Sequence, residues 1–511
     1  MDQEGLVMEQ LRGAKELFLL GAAVVLYWLV GHVWSPPVLH TPSGGAVALS
    51  PQAQRATAIL MAAILLWVTE AIPFAVTALL ALILAPLLGA TDGLSMGQGA
   101  LPAQGLLQGL DLLLHWGFGN RILLFFLGVF LLTAAIQRSG LGQRMTLGLL
   151  LLVGTRTPMV LLAFLLGGTL ISMWITDMAV SALLLPIGVG LLQKAGMKPG
   201  QSSFGKALMI SCSWGATFGG IGTPAGCGPN PIAIAFLADL AGMRVSFLDW
   251  MKLGVPGALL LVPLGWVLLL WIFPSEVRSL PFSREELLAE RARLGPLSPK
   301  ERKILVVFVG VALLWVLEEA IQDWIGLQLP MEWVSMAGGL ALFLPGLRAL
   351  SWKEAEGLVP WGALLLVLAS LSIGMVTYHT GAARWMAWMI LGWIHGMAPF
   401  LQLAMVLAGV MAMKLFLASN TVSGVILIPL LIELARDMGM DPWLLVAPAA
   451  FSSSLGIVLV TQTPTHVIPY SAGYFSMGEF ARAGALMSLA MVGALSLVIL
   501  GMGAFWGLYR I

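Results

Sequence analysis

Long apolar stretches recur along the whole chain, and short polar segments separate them. The stretches that are long enough to cross about 30 Å of hydrocarbon lie near 16–34, 56–90, 122–137, 207–241, 254–273, 304–320, 333–346, 358–376, 442–460 and 484–508. The stretch 56–90 is long enough for two crossings. The pattern therefore predicts an all-α polytopic membrane protein with about 11 transmembrane helices.

Two further apolar segments are interrupted near their middle. Residues 159–193 and 399–434 each run apolar, meet a short polar knot and run apolar again. The knots read Thr176-Asp177-Met178 and Ser419-Asn420-Thr421. Two half-helices that meet at a tip inside the membrane produce this pattern. Each segment is therefore predicted to be a re-entrant hairpin.

The strongly charged stretch 275–303 divides the chain nearly in half. It holds seven basic residues and five glutamates. Its basic bias predicts a cytoplasmic position, on the same side as Arg12 and Lys15. The predicted regions are an N-terminal region with the first transmembrane helix (1–55), a first repeat with hairpin 159–193 (56–274), the charged linker (275–303) and a second repeat with hairpin 399–434 (304–511).

Short motifs recur in the two halves at similar separations. Leu65-Leu66-Trp67-Val68 returns 248 residues later as Leu313-Leu314-Trp315-Val316. The two knots lie 243 residues apart, and the turn that ends at Asn230 corresponds to one that ends at His466, 236 residues further on. These separations predict an internal repeat. If each half crosses the membrane an odd number of times, the second repeat is inverted relative to the first.

The composition supports a membrane protein. Apolar residues make up 59% of the chain and charged residues 10%, against roughly 45–50% and about 25% in soluble domains. The net charge is +1 and no basic tract is long enough to cradle phosphates, so nucleic acid is not an expected partner. Cys212 and Cys227 are interpreted as packing residues rather than a disulfide. The expected setting is the plasma membrane, with lipid around the chain and no cofactor.

Two kinds of interruption can carry chemistry. The knots combine hydroxyl and amide side chains with the free N–H groups of helix N-termini, and these groups suit carboxylate oxygens. The segments 219–230 and 461–466 contain Pro and cannot continue a regular helix. Unwound carbonyls at membrane depth suit a hard cation. For any single residue the alternative is helix packing or a simple kink, but the repeated arrangement favours a binding site.

From about Arg55 onward the chain resembles the divalent anion/sodium symporter family, of the di/tricarboxylate transporter type. The similar segments are Trp67-Val68-Thr69-Glu70-Ala71-Ile72-Pro73, Val76-Thr77-Ala78-Leu79-Leu80, Pro86-Leu87-Leu88-Gly89, Ser172-Met173-Trp174-Ile175, 219–230, Phe247-Leu248-Asp249-Trp250-Met251-Lys252 and Ser419-Asn420-Thr421. The resemblance implies an elevator-type transporter that forms a homodimer. Its scaffold domain would support a transport domain made of the two hairpins and the broken helices.

The resemblance also implies which residues bind the substrate and the ions. Substrate contacts are implied at Thr176, Asp177, Cys227, Gly228, Ser419, Asn420, Thr421, Thr463 and Pro464. Ligands of two sodium sites are implied at Ser172, Thr176, Asp177, Gly226, Ala418, Asn420 and Gln462.

Several positions depart from the family pattern. In the first knot the acid Asp177 replaces an asparagine, and the thioether of Met178 replaces a hydroxyl. Leu415 replaces a hydroxyl residue before the second knot, next to Lys414. The departing residues of the two turns are Cys227, Gly228, Gln462 and His466.

Asp177 and Lys414 occupy nearly corresponding places in the two repeats. Ionisable residues inside a membrane cost roughly 2.5–3.5 kcal/mol on insertion scales and are functional candidates for that reason. A carboxylate beside an anionic substrate repels it unless it binds a cation or a proton. We therefore expect Asp177 to strengthen a sodium site or to take up a proton, and Lys414 to replace the second sodium with a fixed charge. The alternative is that the two charges pair with each other and have no role in transport.

The predicted function is secondary active transport of small divalent anions, C4-dicarboxylates or related di/tricarboxylates, by symport with sodium and with or without a proton. Sodium-independent exchange of one dicarboxylate for another is the alternative within transport. An anion channel is disfavoured because two unlike hairpin tips suit an occluding site. A membrane-embedded enzyme is disfavoured because the six histidines are scattered and no His-Glu zinc motif is present.

Overall fold

A computed structural model describes residues 3–42, 44–95, 101–281 and 284–509. These residues form 23 α-helices and one small two-stranded sheet. The N-terminal elements are helix α1 (Gln3–Trp28), which continues into a π-helical turn (Leu29–Val33), and the antiparallel strands β1 (Leu39–His40) and β2 (Ala46–Val47). The predicted all-α membrane architecture is confirmed.

The first half of the chain begins with a capped helix. The Ser50 hydroxyl accepts a hydrogen bond from the Ala53 N–H at 3.1 Å, and Pro51 occupies the first helical position. The helices of this half are α2 (Pro51–Thr69), α3 (Phe74–Leu87), α4 (Gly105–Trp116), α5 (Ile122–Ser139), α6 (Leu141–Val153), α7 (Thr157–Ser172), α8 (Asp177–Lys194), α9 (Ser203–Gly220), α10 (Pro229–Ala241) and α11 (Phe247–Ile272). The linker contains α12 (Arg284–Arg293).

The second half begins with a capping box, in which Ser298 and Glu301 satisfy each other's backbone N–H groups at the start of α13. Its helices are α13 (Pro299–Val316), α14 (Glu318–Ile325), α15 (Met331–Ala341), α16 (Trp352–Leu358), α17 (Trp361–His379), α18 (Ala382–Leu391), α19 (Pro399–Met413), α20 (Asn420–Asp437), α21 (Pro442–Ser454), α22 (Pro464–Tyr470) and α23 (Met477–Trp506). Two short 3₁₀ turns span Gly392–Ile394 and Val460–Gln462.

The repeated Leu-Leu-Trp-Val motif makes equivalent contacts in the two halves. Trp67 Nε1 donates a hydrogen bond to the Phe74 carbonyl at 3.1 Å. Trp315 Nε1 donates to the Met331 carbonyl, also at 3.1 Å. Each buried tryptophan thus ties the end of one helix to the start of another. These contacts support an internal repeat, and the boundaries assigned to the two repeats stay predictions.

Helices from the two halves interlock. Helix α5 packs along α15, and α3 packs along α17, so each pair joins one helix from each half. Where α5 meets α15, a Cβ on Gly128 would lie 2.2 Å from the Ser335 carbonyl carbon and 2.4 Å from its oxygen. Only glycine lets the two backbones approach so closely.

Gly128→Ala is expected to lower the thermal stability of the solubilised protein by several degrees. The added Cβ overlaps the Ser335 backbone, and overpacking of this kind costs about 1–3 kcal/mol. Gly310→Ala in α13 is the matched control, because nothing lies within 4 Å of its Cβ position. Unfolding followed by tryptophan fluorescence measures both variants, and equal midpoints would contradict the expectation.

Two pairs of helices form hairpins, which we call hairpin 1 (α7 and α8) and hairpin 2 (α19 and α20). Each hairpin packs against a helix of the other half, since α8 contacts α22 and α20 contacts α10. The Ser181 hydroxyl of hairpin 1 donates to the Thr465 carbonyl of α22 at 2.7 Å. The two hairpin tips therefore converge on one region of the molecule.

Seven helices among the described residues are long and apolar enough to cross a membrane. They are Gly13–Val33, Pro51–Thr69, Ile122–Ser139, Asp177–Lys194, Phe247–Ile272, Trp361–His379 and Met477–Trp506. Helices α13 and α14, bent by 69° at their junction, bring this number to eight if they form one span. The predicted count of about 11 crossings stays a prediction.

Two of the predicted apolar stretches are broken, the first of them where the sequence predicted a turn. The stretch 207–241 is interrupted between α9 and α10, where the predicted turn 219–230 lies. The prediction that 442–460 forms one helix is wrong, because α21 ends at Ser454 and Leu459 is extended. The backbone leaves the helix earlier than the Thr461-Gln462-Thr463-Pro464 pattern indicated.

The linker contacts the base of hairpin 1. The Thr157 N–H donates to the Arg278 carbonyl at 3.1 Å. Arg144 of α6 donates to both carboxylate oxygens of Glu301, at 2.6 and 3.2 Å. Hairpin 1 therefore enters from the side of the molecule that carries residues 275–303, which we call the linker face.

A surface glutamate, Glu354, connects three helices at the linker face. Its carboxylate accepts hydrogen bonds from the Ser351 N–H and hydroxyl, which hold the pKa of Glu354 at about 2. Because this carboxylate stays ionised, it also pairs with Arg138 at 3.3 Å and Lys300 at 3.6 Å. These pairs join the end of α5 to the starts of α13 and α16.

Candidate functional site

The tip of hairpin 1 lies between the end of α7 at Ser172 and the start of α8 at Asp177. The carboxylate of Asp177 accepts a hydrogen bond from the Met178 N–H at 2.8 Å, so an acid lies in the first turn of α8, where the helix dipole favours a negative charge. The Thr223 hydroxyl donates to the Met173 carbonyl and fixes the tip to the first broken helix. The predicted knot is thus a helix N-terminus held against an unwound segment.

The tip of hairpin 2 lies between the end of α19 at Met413 and the start of α20 at Asn420. The Ser419 hydroxyl caps α20 by accepting a hydrogen bond from the Val422 N–H at 3.4 Å. The Ser423 hydroxyl returns a hydrogen bond to the Ser419 carbonyl at 2.9 Å. This tip presents neutral amide and hydroxyl groups where hairpin 1 presents a carboxylate.

The first broken helix unwinds between Gly220 and Pro229. Asn230 holds the unwound loop, because its amide nitrogen donates to the Gly220 carbonyl at 2.7 Å and to the Thr223 carbonyl at 2.8 Å. A Cβ on Gly226 would lie 2.6 Å from the Gly220 oxygen and 2.8 Å from the Ser172 oxygen. Several main-chain oxygens therefore crowd around Gly226.

The second broken helix unwinds between Ser454 and Pro464. Gln462 closes this loop on itself, since its side-chain oxygen accepts hydrogen bonds from the N–H groups of Val458 and Leu459, both at 2.8 Å. His466, fully buried, contacts the Gly456 carbonyl through Nε2 at 2.6 Å. Its Nδ1 contacts the Ser213 hydroxyl. Both ring nitrogens are engaged, which favours a structural role for His466.

A cavity of about 250 Å³ lies where the two tips and the two broken helices meet. Among its wall residues are all nine residues that the sequence predicted as substrate contacts: Thr176, Asp177, Cys227, Gly228, Ser419, Asn420, Thr421, Thr463 and Pro464. Of the other residues predicted as sodium ligands, Ala418 lines the cavity, while Ser172, Gly226 and Gln462 belong to the segments around it.

One wall of the cavity was missed by the sequence analysis. It is apolar and comes from α3, α5 and α17, through Phe74, Phe125, Phe126, Val129, Phe130, Pro360, Ala363 and Val367. The signal was weak, because aromatic residues in an apolar span are ordinarily core residues. The cavity thus has polar groups on the hairpin side and an apolar wall on the other.

Asp177 and Lys414 are connected through intermediate side chains. The Cys227 thiol lies 3.8 Å from Asp177 Oδ2, and the Asn420 amide nitrogen lies 3.4 Å from the same sulfur. Lys414 Nζ donates to Asn420 Oδ1 at 2.8 Å. Among the described residues, no direct ion pair joins Asp177 to Lys414. The geometry therefore argues against simple mutual neutralisation.

Two buried side-chain oxygens at the first unwound loop have no hydrogen-bond partner in the described part of the chain. The Ser172 hydroxyl and the Asn230 side-chain oxygen are buried and have no hydrogen-bond partner among the described residues. The Asp177 N–H donates to the Gly226 carbonyl at 3.3 Å, so the carboxyl-bearing tip lies beside this loop. Oxygens of this type are the ligands of hard cations.

Two features lie along the second arms of the hairpins. A crevice of about 550 Å³ runs along α8 from Ala179 to Lys194, the end of α8 that lies towards the linker face. At the end of α20, Arg384 and Trp388 of α18 both donate to Asp437, each at 2.6 Å. These contacts hold hairpin 2 against α18.

An α-helical membrane protein in which two hairpin tips and two broken helices form the polar side of a small cavity is a membrane transporter by its architecture. Residues 31–509 match the family described as "Sodium:sulfate symporter transmembrane region". The chain belongs to this family of multi-pass membrane transporters and is not an enzyme.

Curated relatives agree with this assignment. The chain is 28% identical over 450 residues to the sodium-dependent dicarboxylate transporter SdcS of Staphylococcus saprophyticus, covering 85% of this chain and 83% of that protein. It is 28% identical over 457 residues to SdcS of Staphylococcus aureus, covering 85% and 82%.

The structure resembles two solved transporters in fold. The Alcanivorax borkumensis YdaH transporter aligns with a TM-score of 0.57 and 16% identity, covering 88% of this chain and 100% of that chain. MtrF of Neisseria gonorrhoeae aligns with a TM-score of 0.52 and 15% identity, covering 84% and 94%. At these identities the likeness concerns the fold alone.

Proposed function

We propose that this chain is a secondary transporter that couples the movement of sodium to the transport of C4-dicarboxylates. The observation that carries the proposal is the convergence of both hairpin tips and both unwound loops on one cavity of about 250 Å³. The curated relatives, named as sodium-dependent dicarboxylate transporters, support the same substrate and the same ion.

One substrate carboxylate binds at hairpin 2. Ser419, Asn420 and Thr421 line the cavity there and begin helix α20. Free N–H groups and the helix dipole at such an N-terminus stabilise an anion. Thr463 and Pro464 complete this half of the site at the start of α22.

The other substrate carboxylate lies near hairpin 1, where Asp177 requires a cation. Two negative charges about 4 Å apart repel by about 4 kcal/mol at an effective dielectric constant of 20. A sodium ion bound between them reverses the sign of this interaction. The cation ligands are Asp177, Thr176 and the oxygens of Ser172 and Gly226. The unpartnered Ser172 hydroxyl supports this placement.

Movement of the hairpins relative to α5 and α17 would carry the cavity across the membrane in an elevator-type cycle. This proposal and the homodimeric assembly come from the family resemblance.

Sodium-independent exchange is the second candidate function, because Lys414 already supplies a positive charge beside the cavity. Purified protein in liposomes distinguishes the two. Symport predicts uptake of labelled succinate that requires a sodium gradient and proceeds without internal succinate. Flux that requires internal succinate and ignores sodium would select exchange. Absence of succinate flux under both conditions would contradict the proposal.

Met178→Thr is expected to lower the KM for succinate by about tenfold. Met178 and Thr421 occupy matching positions at the two tips, and both line the cavity. A hydroxyl that donates to a carboxylate contributes about 1.5–3 kcal/mol. Thr421→Met, which removes a hydroxyl from the other tip, is the matched reverse substitution and should raise the KM. Equal KM values in both variants and the unmodified chain would contradict the placement of the substrate.

A further inference from the structure

Lys414 lies at the end of α19, just before the tip of hairpin 2, and its side chain is fully buried. Its ammonium group donates to Asn420 Oδ1 at 2.8 Å and to the Gln462 carbonyl at 3.2 Å. One acceptor belongs to the hairpin tip and the other to the unwound loop. Neutral amide and carbonyl oxygens in this arrangement are groups that also bind a hard cation such as sodium.

The protein provides space for this lysine. A Cβ on Gly456 would lie 2.6 Å from Lys414 Cε. Glycine at this position therefore leaves room for the lysine side chain inside the second unwound loop. The His466 ring holds the Gly456 carbonyl at 2.6 Å, so the loop around the lysine is itself fixed. The protein thus provides both the space for the ammonium group and a fixed loop around it.

The two halves distribute charge in opposite ways. Asp177 and Asn420 start the second arms of their hairpins, and the positions six residues earlier are Ile171 and Lys414. The first half thus has a carboxylate and an apolar side chain, whereas the second has an amide and an ammonium group. In the first half, the Ser172 hydroxyl and the Asn230 side-chain oxygen are buried without a hydrogen-bond partner among the described residues. In the second half, the Asn420 side-chain oxygen and the Gln462 carbonyl, which correspond in position to Asp177 and Gly226, both accept hydrogen bonds from Lys414.

We propose that the Lys414 ammonium group is a tethered cation that occupies the ion position of the second half, so that sodium binds only in the first half. This inference rests on the proposed function. The lysine stabilises the substrate carboxylate at hairpin 2 as a bound sodium ion would. The ammonium group moves with the protein in both directions of the transport cycle. It therefore adds nothing to the number of ions transported with each substrate.

The inference predicts the sodium dependence of the unmodified chain. The Hill coefficient for sodium in succinate uptake should be about 1, since one site responds to sodium. Parallel measurement of labelled sodium and labelled succinate entering liposomes should give about one sodium ion for each succinate. A Hill coefficient near 2, with two or more sodium ions per succinate, would overturn the inference and leave the proposed function intact. Loss of all sodium dependence would overturn the proposed function instead.

Lys414→Ala tests the same inference from the opposite direction. Removal of the side chain frees Asn420 Oδ1 and the Gln462 carbonyl for a sodium ion. The Hill coefficient for sodium should rise to about 2, and the number of sodium ions transported with each succinate should increase by about one. Lys198→Ala, at an exposed surface position, is the control and should match the unmodified chain. An active Lys414→Ala protein with an unchanged coefficient and ratio would overturn the inference.

A second variant covers the case in which Lys414→Ala does not fold. Gly456→Ala keeps the lysine and its charge but places a methyl group 2.6 Å from Lys414 Cε, which displaces the ammonium group from its acceptors. It should lower the maximal rate and raise the Hill coefficient above that of the unmodified chain. A Gly456→Ala protein with unchanged sodium kinetics would contradict a built-in place for the ammonium group.

Discussion

Asp177→Asn is expected to raise the sodium concentration that gives half-maximal succinate uptake by at least about tenfold. The substitution keeps the shape of the side chain and removes its charge. A carboxylate within about 4 Å of a cation contributes up to about 4 kcal/mol at an effective dielectric constant of 20, and a tenfold change requires about 1.4 kcal/mol. Uptake measured as a function of sodium at fixed succinate provides the test.

Asp323→Asn in α14 is the control for this substitution, because Asp323 is exposed and lies far along the chain from the hairpin tips. If Asp177 takes up a proton rather than sodium, the variant should instead lose the dependence of uptake on pH. Uptake that is unchanged across both sodium concentration and pH would eliminate any coupling role for Asp177.

Gly226→Ala is expected to reduce succinate uptake to the background rate. A methyl group at this position would lie 2.6 Å from the Gly220 oxygen and 2.8 Å from the Ser172 oxygen. Both distances are shorter than van der Waals contact, so the unwound loop and the tip of hairpin 1 would have to separate. The proposed sodium ligands come from these two segments, and their separation removes the ion site.

Gly409→Ala in hairpin 2 controls for the general effect of alanine in a hairpin, because nothing lies within 4 Å of its Cβ position. Size-exclusion profiles of both variants establish that each is folded before uptake is compared. Wild-type uptake by the folded Gly226→Ala protein would show that the crowded oxygens around Gly226 have no part in ion binding.

The hairpins were predictable because a polar knot in the middle of an apolar segment is costly in a continuous membrane helix and suits a helix tip. The predicted segments 159–193 and 399–434 nearly coincide with the two helix pairs, Thr157–Lys194 and Pro399–Asp437. That each pair is re-entrant stays a prediction, because Asp177–Lys194 is long and apolar enough to cross a membrane. Hydropathy did not reveal α4, α6, α16 and α18, which are short or lie beside longer apolar runs. The end of α21 at Ser454 was also missed, since apolar residues continue beyond it.

The composition of the cavity could be predicted only in part. Its polar residues interrupt apolar sequence and are therefore visible, whereas Phe125 and Phe130 look like any other residues of an apolar helix. The partners of Lys414 depend on tertiary contacts between α19 and residues nearly 50 positions away, as in its hydrogen bond to the Gln462 carbonyl. No local pattern encodes such a contact. That no salt bridge joins Asp177 and Lys414 was visible only in the structure, and the absence of a transport role for the two charges stays an untested alternative.

The hydrogen bond between Ser181 and the Thr465 carbonyl can form only late in synthesis of the chain. The two partners are 284 residues apart, and at 5–20 residues per second the ribosome needs about 15 s to about one minute to connect them. During that interval hairpin 1 and its acid are already synthesised while the helix that covers them does not yet exist. Until Thr465 is made, the Ser181 hydroxyl lacks its acceptor, so a chain truncated before Thr465 is expected to be degraded faster than the full-length chain.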